Sequence, residues 1–186
     1  MHINDLYSSN FSKSMEALAK SKKIIIDFRG YPNDNSVTFG LWNTLLPPVN
    51  FFYAAYADTR KPGTFRKCAG YSVGRDNILK DKQAIVLVSA NTQSLSEHVV
   101  MALQQHPNVQ TIGTLTAGTN GNVVDYVFPG NIPIIFTGIG IRYMDDTDMQ
   151  QVGVRIDKII EPTISDIQSE EDYLIREAKK MLKYYF

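Results

Sequence analysis

The 186-residue sequence has one cysteine, no excess of either charge and no long apolar run. Cys68 has no partner for an internal disulfide, and no Cys/His set has zinc spacing, so a disulfide scaffold and a zinc module are both excluded. Nineteen basic residues balance nineteen acidic ones, and the basic excess of a general nucleic-acid binder is missing. A membrane span needs roughly 20 apolar residues in a row, whereas the runs here are as short as 84–88. The opening Met1-His2-Ile3-Asn4-Asp5 lacks the charged and apolar regions of a signal peptide. What is present is a chain 44% apolar and 11% aromatic, which suits a packed core and not a disordered segment. Metal, cofactor, nucleic acid and membrane span are all expected to be absent.

Periodicity divides the chain into alternating elements. Phe11, Met15 and Leu18 share one face of a helix expected over 8–21, with Ser9 or Asn10 as N-cap. Ile24-Ile25-Ile26 reads as a buried strand that ends in a loop over 27–34, rich in Gly, Pro, Asn and Asp. A short helix stopped by Pro47-Pro48 and a strand over 51–56 follow. The stretch 58–82 is mixed in charge and broken by Gly63, Gly70 and Gly74, so it reads as a long surface loop or a substrate-facing flap. Residues 84–88 are apolar throughout, as in a strand covered on both faces. A turn at 89–91 leads to a helix expected over 94–105, closed by Pro107. A strand at 109–112, a glycine-rich loop over 113–121 and a hairpin around Pro129-Gly130-Asn131 come next. The last helix is expected to start at Ser169 as N-cap, with Leu174, Ala178, Met181 and Tyr185 on one face. Strands alternating with helices predict a single α/β domain.

Thr92-Gln93-Ser94-Leu95-Ser96-Glu97 lies where a buried strand hands over to a helix. Unpaired N–H groups and the positive end of the helix dipole favour an alkoxide-like nucleophile and can donate to an oxyanion. A serine in that position is also an ordinary helix cap. The loops 27–34, 91–94 and 114–121 each follow an expected parallel strand, which would gather them on one rim. His2, His98 and His106 read as structural or solvated.

Four blocks in order resemble one family. Ile24-Ile25-Ile26-Asp27-Phe28-Arg29-Gly30 is similar to the strand and Asp-x-Arg-Gly loop of the C-terminal processing (tail-specific) serine peptidases, which include tricorn protease and interphotoreceptor retinoid-binding protein. The Ser94 motif resembles their nucleophile motif. Ile112-Gly113-Thr114-Leu115-Thr116-Ala117-Gly118 resembles their Ile-Gly-x-x-Thr-x-Gly block, and Val152-Gly153-Val154-Arg155-Ile156-Asp157 their Gly-Val-x-Pro-Asp ending. The Thr-Gln-Ser variant, Thr-Ala-Gly-x-x-Gly-Asn and the closing Pro162-Thr163 look most like Bacteroidetes envelope members.

The resemblance implies a crotonase/ClpP-like α/β core with helices packed on a mostly parallel sheet. It implies proteolysis of peptides or unfolded protein through an acyl-enzyme on Ser94, in the periplasm or cell envelope. Leu95 N–H would be one oxyanion donor, and the loop of Gly30, Asn33 and Asp34 would supply the other. Thr116, Gly118, Thr119 and Gln150 would support the site. Thr119 stands where the dyad subgroup has lysine, Gln150 where tricorn-type members have glutamate, and Asn33-Asp34 where the family has paired glycines. On this reading residues 1–186 are one peptidase core domain, a fragment of a longer protein, weakly active or inactive alone and completed by an N-terminal domain or a second copy. The alternatives are a non-catalytic peptide-binding module of the same fold and a crotonase-type acyl-CoA enzyme.

Overall fold

In the computed structural model, which describes residues 1–184, four strands build the central sheet: β1 (Lys23–Asp27), β4 (Gln83–Val88), β5 (Val109–Gly113) and β9 (Lys158–Ile159). Their order is β1-β4-β5-β9, and every pairing is parallel. The apolar run of β4 is read out alternately on the two faces. Ala84, Val86 and Val88 point into the larger core with α1 (Phe11–Lys20), α2 (Ser36–Leu45) and α3 (Leu95–Leu103). Ile85 and Leu87 meet Leu174, Ala178, Met181 and Leu182 of α5 (Tyr173–Tyr184) on the opposite face. Helices thus cover both sides of the sheet, as an all-parallel sheet requires, and the expected α/β core is present.

A second, antiparallel sheet of order β3-β2-β8 flanks the first: β2 (Phe52–Ala57), β3 (Phe65–Ala69) and β8 (Ile139–Tyr143). The segment 58–82, expected to be a surface loop or a substrate-facing flap, contains a strand and a short 3₁₀ turn, Ile78–Asp81. Its strand is an edge, and four of its five residues are exposed, so it carries none of the apolar alternation that marks a strand in sequence. The hairpin of β6 (Val123–Phe128) and β7 (Ile132–Thr137) lies where it was expected, yet all twelve positions are exposed and it has no polar face.

Two helix starts differ from expectation. Asn10 sits at the N-cap of α1, but its side chain accepts the Tyr7 N–H instead of capping the helix. Ser169 closes α4 (Ile164–Gln168), and Asp172 caps α5 by accepting the N–H groups of Leu174 and Ile175 at 3.0 and 3.1 Å. Tyr185, assigned to the apolar face of this helix, lies outside the described residues. Among the described residues no helix is long and apolar enough to cross a membrane.

Candidate active site

Because β1, β4 and β5 run parallel, the loops after them leave on one rim. Side chains of the β4–α3 turn then stitch those loops together. Buried Thr92 donates from its hydroxyl to the Phe28 carbonyl at 2.7 Å and accepts the Ser89 N–H at 2.9 Å. Ser96 Oγ donates to the Gly30 carbonyl at 2.8 Å. The Ala117 N–H donates to the Thr92 carbonyl at 3.0 Å, tying in the glycine loop.

The centre of this stitching is Glu97, fully buried. Its carboxylate accepts the Thr116 hydroxyl at 2.6 Å, the Gly118 N–H at 2.7 Å, the Thr119 N–H at 2.9 Å and the Ser94 N–H at 3.0 Å. Four donors around one carboxylate satisfy a charge that would be costly to bury alone. Thr116 Oγ1 in turn accepts the Val154 N–H at 3.0 Å, which brings in the Gly153-Val154 block. Gly118 has φ +65°, and a Cβ there would meet the Gln151 backbone at 2.9 Å, so only glycine lets the loop close over Glu97.

Ser94 itself has φ +49° and ψ −112°. A serine that only caps a helix takes extended dihedrals, whereas a non-glycine residue held here stores strain of roughly 1–3 kcal/mol. Ser94 nevertheless caps α3 as well: in the Ser94–Glu97 capping box its side chain faces the Glu97 N–H while the Glu97 carboxylate accepts the Ser94 N–H. In a nucleophile elbow the serine is strained in a similar way but sits directly on the strand-to-helix turn, whereas here residues 89–93 lie between β4 and Ser94.

The half-buried Ser94 and Leu95 open onto a pocket of about 450 Å³. Its walls come from β2, β8, the segment after β3 and the loop 120–122, and among the described residues no Asp, Glu, Lys or Arg lines it. Tyr71, His98 and Asn120 line the same pocket. The His98 ring is 8% exposed and packs against Trp42, Phe51 and Phe52, with centroids 5.9, 4.8 and 4.8 Å away. Burial pushes its pKa down to about 4, so the ring is neutral at physiological pH. Its Nε2 meets Tyr71 Oη at 2.9 Å and its Nδ1 meets Asn120 Nδ2 at 3.1 Å.

The expected site residues fall into three groups. Ser94 and Leu95 line the pocket. Thr116, Gly118 and Thr119 wrap Glu97, and Gln150 donates to the Asn120 and Ile139 carbonyls at 3.0 and 2.9 Å, bracing the pocket wall from outside. The first loop departs from expectation. The Gly30 carbonyl is taken by Ser96 and its Cα abuts the Asn4 side chain. Asn33 donates to the Asn4 carbonyl and to Tyr7 Oη, and Asp34 accepts from Ser8 and Ser36. Asn33 and Asp34 thus fasten the N-terminal segment, and it is Tyr31 that reaches the pocket. Tyr71 and Asn120 lie in segments the sequence had marked, the 58–82 stretch and the 114–121 loop, but nothing in their spacing singled out either residue. Among the described residues no group of three or more His, Cys, Asp or Glu could hold a metal ion.

A family model described as peptidase family S41 matches residues 1–164. The chain belongs to this family. Solved structures share the fold. A protein assigned as a peptidase from Parabacteroides merdae ATCC 43184 superposes with TM-score 0.76 at 17% identity, over 97% of this chain and 58% of its own. Mature CPAF complexed with lactacystin gives 0.76 at 15%, over 98% and 49%. The photosystem II D1 C-terminal processing protease gives 0.62 at 18%, over 88% and 42%. No curated protein sequence matches. The S41 chain described here therefore spans about half the length of these structures.

Proposed function

We propose that this S41 chain is a serine-type endopeptidase catalytic domain in which Ser94 attacks a peptide carbonyl. The observation that carries this reading is the Ser94 backbone, strained at φ +49° and ψ −112° beside a pocket, a conformation that a capping role does not require. The Ser94 Oγ–carbon bond forms as its proton passes to a base, and the Leu95 N–H at the start of α3 receives the developing oxyanion. The carbon–nitrogen bond then breaks, the amine leaves with the proton, and water hydrolyses the acyl-enzyme. Substrates are peptides or unfolded protein.

The base is the weak point of these residues. Thr119 offers no ammonium, Gln150 no carboxylate, and His98 Nε2 is engaged by Tyr71. A base from a longer polypeptide or a second copy is part of the proposal, and the 186 residues alone are expected to turn over slowly, since base catalysis typically contributes about 10²–10⁴-fold. The same occupied His98 favours a second reading, a peptide-binding module that retains the groove without the chemistry. A Bacteroidetes-type cell-envelope location belongs to the proposal, with cell fractionation as its check.

A fluorophosphonate probe should label the wild-type chain at Ser94 and leave Ser94→Ala unlabelled, with weak casein cleavage lost in the same variant. Peptide binding without labelling would favour the binding module.

A further inference from the structure

The contacts of Asn120 fix the position of a proton two residues away. Asn120 Oδ1 accepts the Gly121 N–H at 2.8 Å, while its Nδ2 faces His98 Nδ1 at 3.1 Å and Met101 Sδ at 3.2 Å. The reversed amide would set Nδ2 against a backbone N–H and Oδ1 against a sulfur acceptor, so this orientation alone satisfies every group. His98 Nδ1 must then accept, and in a neutral ring the proton is on Nε2. Tyr71 Oη, 2.9 Å from Nε2, is the acceptor available to that proton. Tyr71 Oη is consequently an acceptor towards His98, and its own proton is directed away from the ring. Tyr71 is 50% exposed and lines the pocket shared with Ser94.

We infer that Asn120 and His98 form a hydrogen-bond relay that fixes Tyr71 as a donor into the pocket, where it recognises an acceptor oxygen of a bound peptide. Asn120 and His98 are positioning residues, and Tyr71 is the group that touches the ligand. The inference rests on the reading that the pocket takes a peptide, and it adds what that peptide must offer. A carbonyl or side-chain amide oxygen at this wall is matched. A lysine ammonium there would meet a donor and no carboxylate, because among the described residues no acidic one lines the pocket. The aromatic box around His98 serves the relay by keeping the ring neutral, for an imidazolium would face the Asn120 NH₂ with a second donor.

The relay and its use are tested on the full 186-residue chain by two measurements. Histidine-ring nitrogen–proton correlation NMR at neutral pH should show His98 as the Nε2–H tautomer, and an Nδ1–H signature would overturn the relay. Acetyl-Ala-Ala-Leu-amide should then bind three- to tenfold more weakly to Tyr71→Phe than to wild type, the loss expected for one neutral hydrogen bond. Tyr71→Phe keeps the ring and its packing, so an equal affinity, or no binding of this peptide to wild type, refutes the recognition step. Labelling of Ser94 by the fluorophosphonate is scored separately. Peptide binding that depends on Tyr71 without labelling would favour the binding module over the peptidase reading and leave the relay standing. Labelling with Tyr71→Phe at wild-type affinity would do the reverse.

Discussion

The Ser94 N–H donates to the Glu97 carboxylate at 3.0 Å, so the residue proposed as nucleophile is held by an acid one turn into its own helix. The same carboxylate closes the glycine loop through Thr116, Gly118 and Thr119. One buried carboxylate thereby sets both the Ser94 backbone and the glycine loop packed against it.

Glu97→Gln should be far from silent. Each carboxylate oxygen accepts a backbone N–H that cannot rotate, Gly118 on one and Thr119 and Ser94 on the other. Whichever way the amide turns, its NH₂ faces a donor. A loss of about 2–4 kcal/mol in urea unfolding is expected, together with loss of fluorophosphonate labelling. Stability within experimental error of wild type would mean that this carboxylate does not hold the loop.

Ser94 should show an inverse relation between stability and chemistry. Glycine adopts φ +49°, ψ −112° with little strain, while alanine retains the full cost. Ser94→Gly is expected to be about 1 kcal/mol more stable than Ser94→Ala, with neither variant labelled by the probe. Alanine matching or exceeding glycine would remove the case for stored strain at Ser94.

How much of this was legible beforehand depends on where the physics is local. The β4 run 84–88 states its own burial, and the loops 27–34, 91–94 and 114–121, each after an expected parallel strand, pointed to one rim. Edge strands do not advertise themselves: Phe65–Ala69 is mostly exposed and pairs only with β2. Ser169 and Asp172 are both good caps three residues apart, and only the packed position of α5 decides between them. Asn33 and Asp34 sit in the right loop, but the side chains of Asn4, Tyr7 and Ser8 determine which way they point. The Tyr71–His98–Asn120 chain links positions 27 and 22 residues apart, beyond any spacing rule.

Arg29 bridges β1 to α5, with Nη2 2.6 Å from both Asp27 and Asp172. Partial burial raises the Asp172 carboxyl, but the Arg29 hydrogen bonds and the capped N–H groups outweigh it and hold the pKa below the ordinary carboxylate value. A depressed carboxyl contributes stability that is complete above its unfolded pKa, near 3.9, and is lost as pH falls below it. Asp172→Asn keeps an oxygen for the cap and removes the charge. It should cost about 0.5–1 kcal/mol at pH 7, near a surface-pair value given the half-buried carboxylate, and flatten the fall in stability below about pH 4. An acid limb identical to wild type in urea melts from pH 5 to pH 3 would count against it.

His98 makes a prediction at milder pH. Its pKa is lowered to about 4 by burial among Trp42, Phe51 and Phe52, and the groups hydrogen-bonded to its ring are the neutral Tyr71 and Asn120. In the unfolded chain the ring titrates near 6.5. Above that pH both states are neutral and the histidine adds no pH dependence. Between about 6.5 and 4 the unfolded state takes up a proton that the folded state refuses, so stability falls as the solution is acidified, by at most about 3 kcal/mol across the window. His106, lowered by burial as well, contributes in the same direction. Comparing each protein with itself across pH isolates His98 from any general destabilisation by the substitution. Guanidinium unfolding at steps from pH 7.5 to 4.5 should therefore show a shallower decline for His98→Gln than for wild type. Parallel declines would mean that the ring titrates in the folded protein as it does in water, and the neutral relay behind Tyr71 would fall with it.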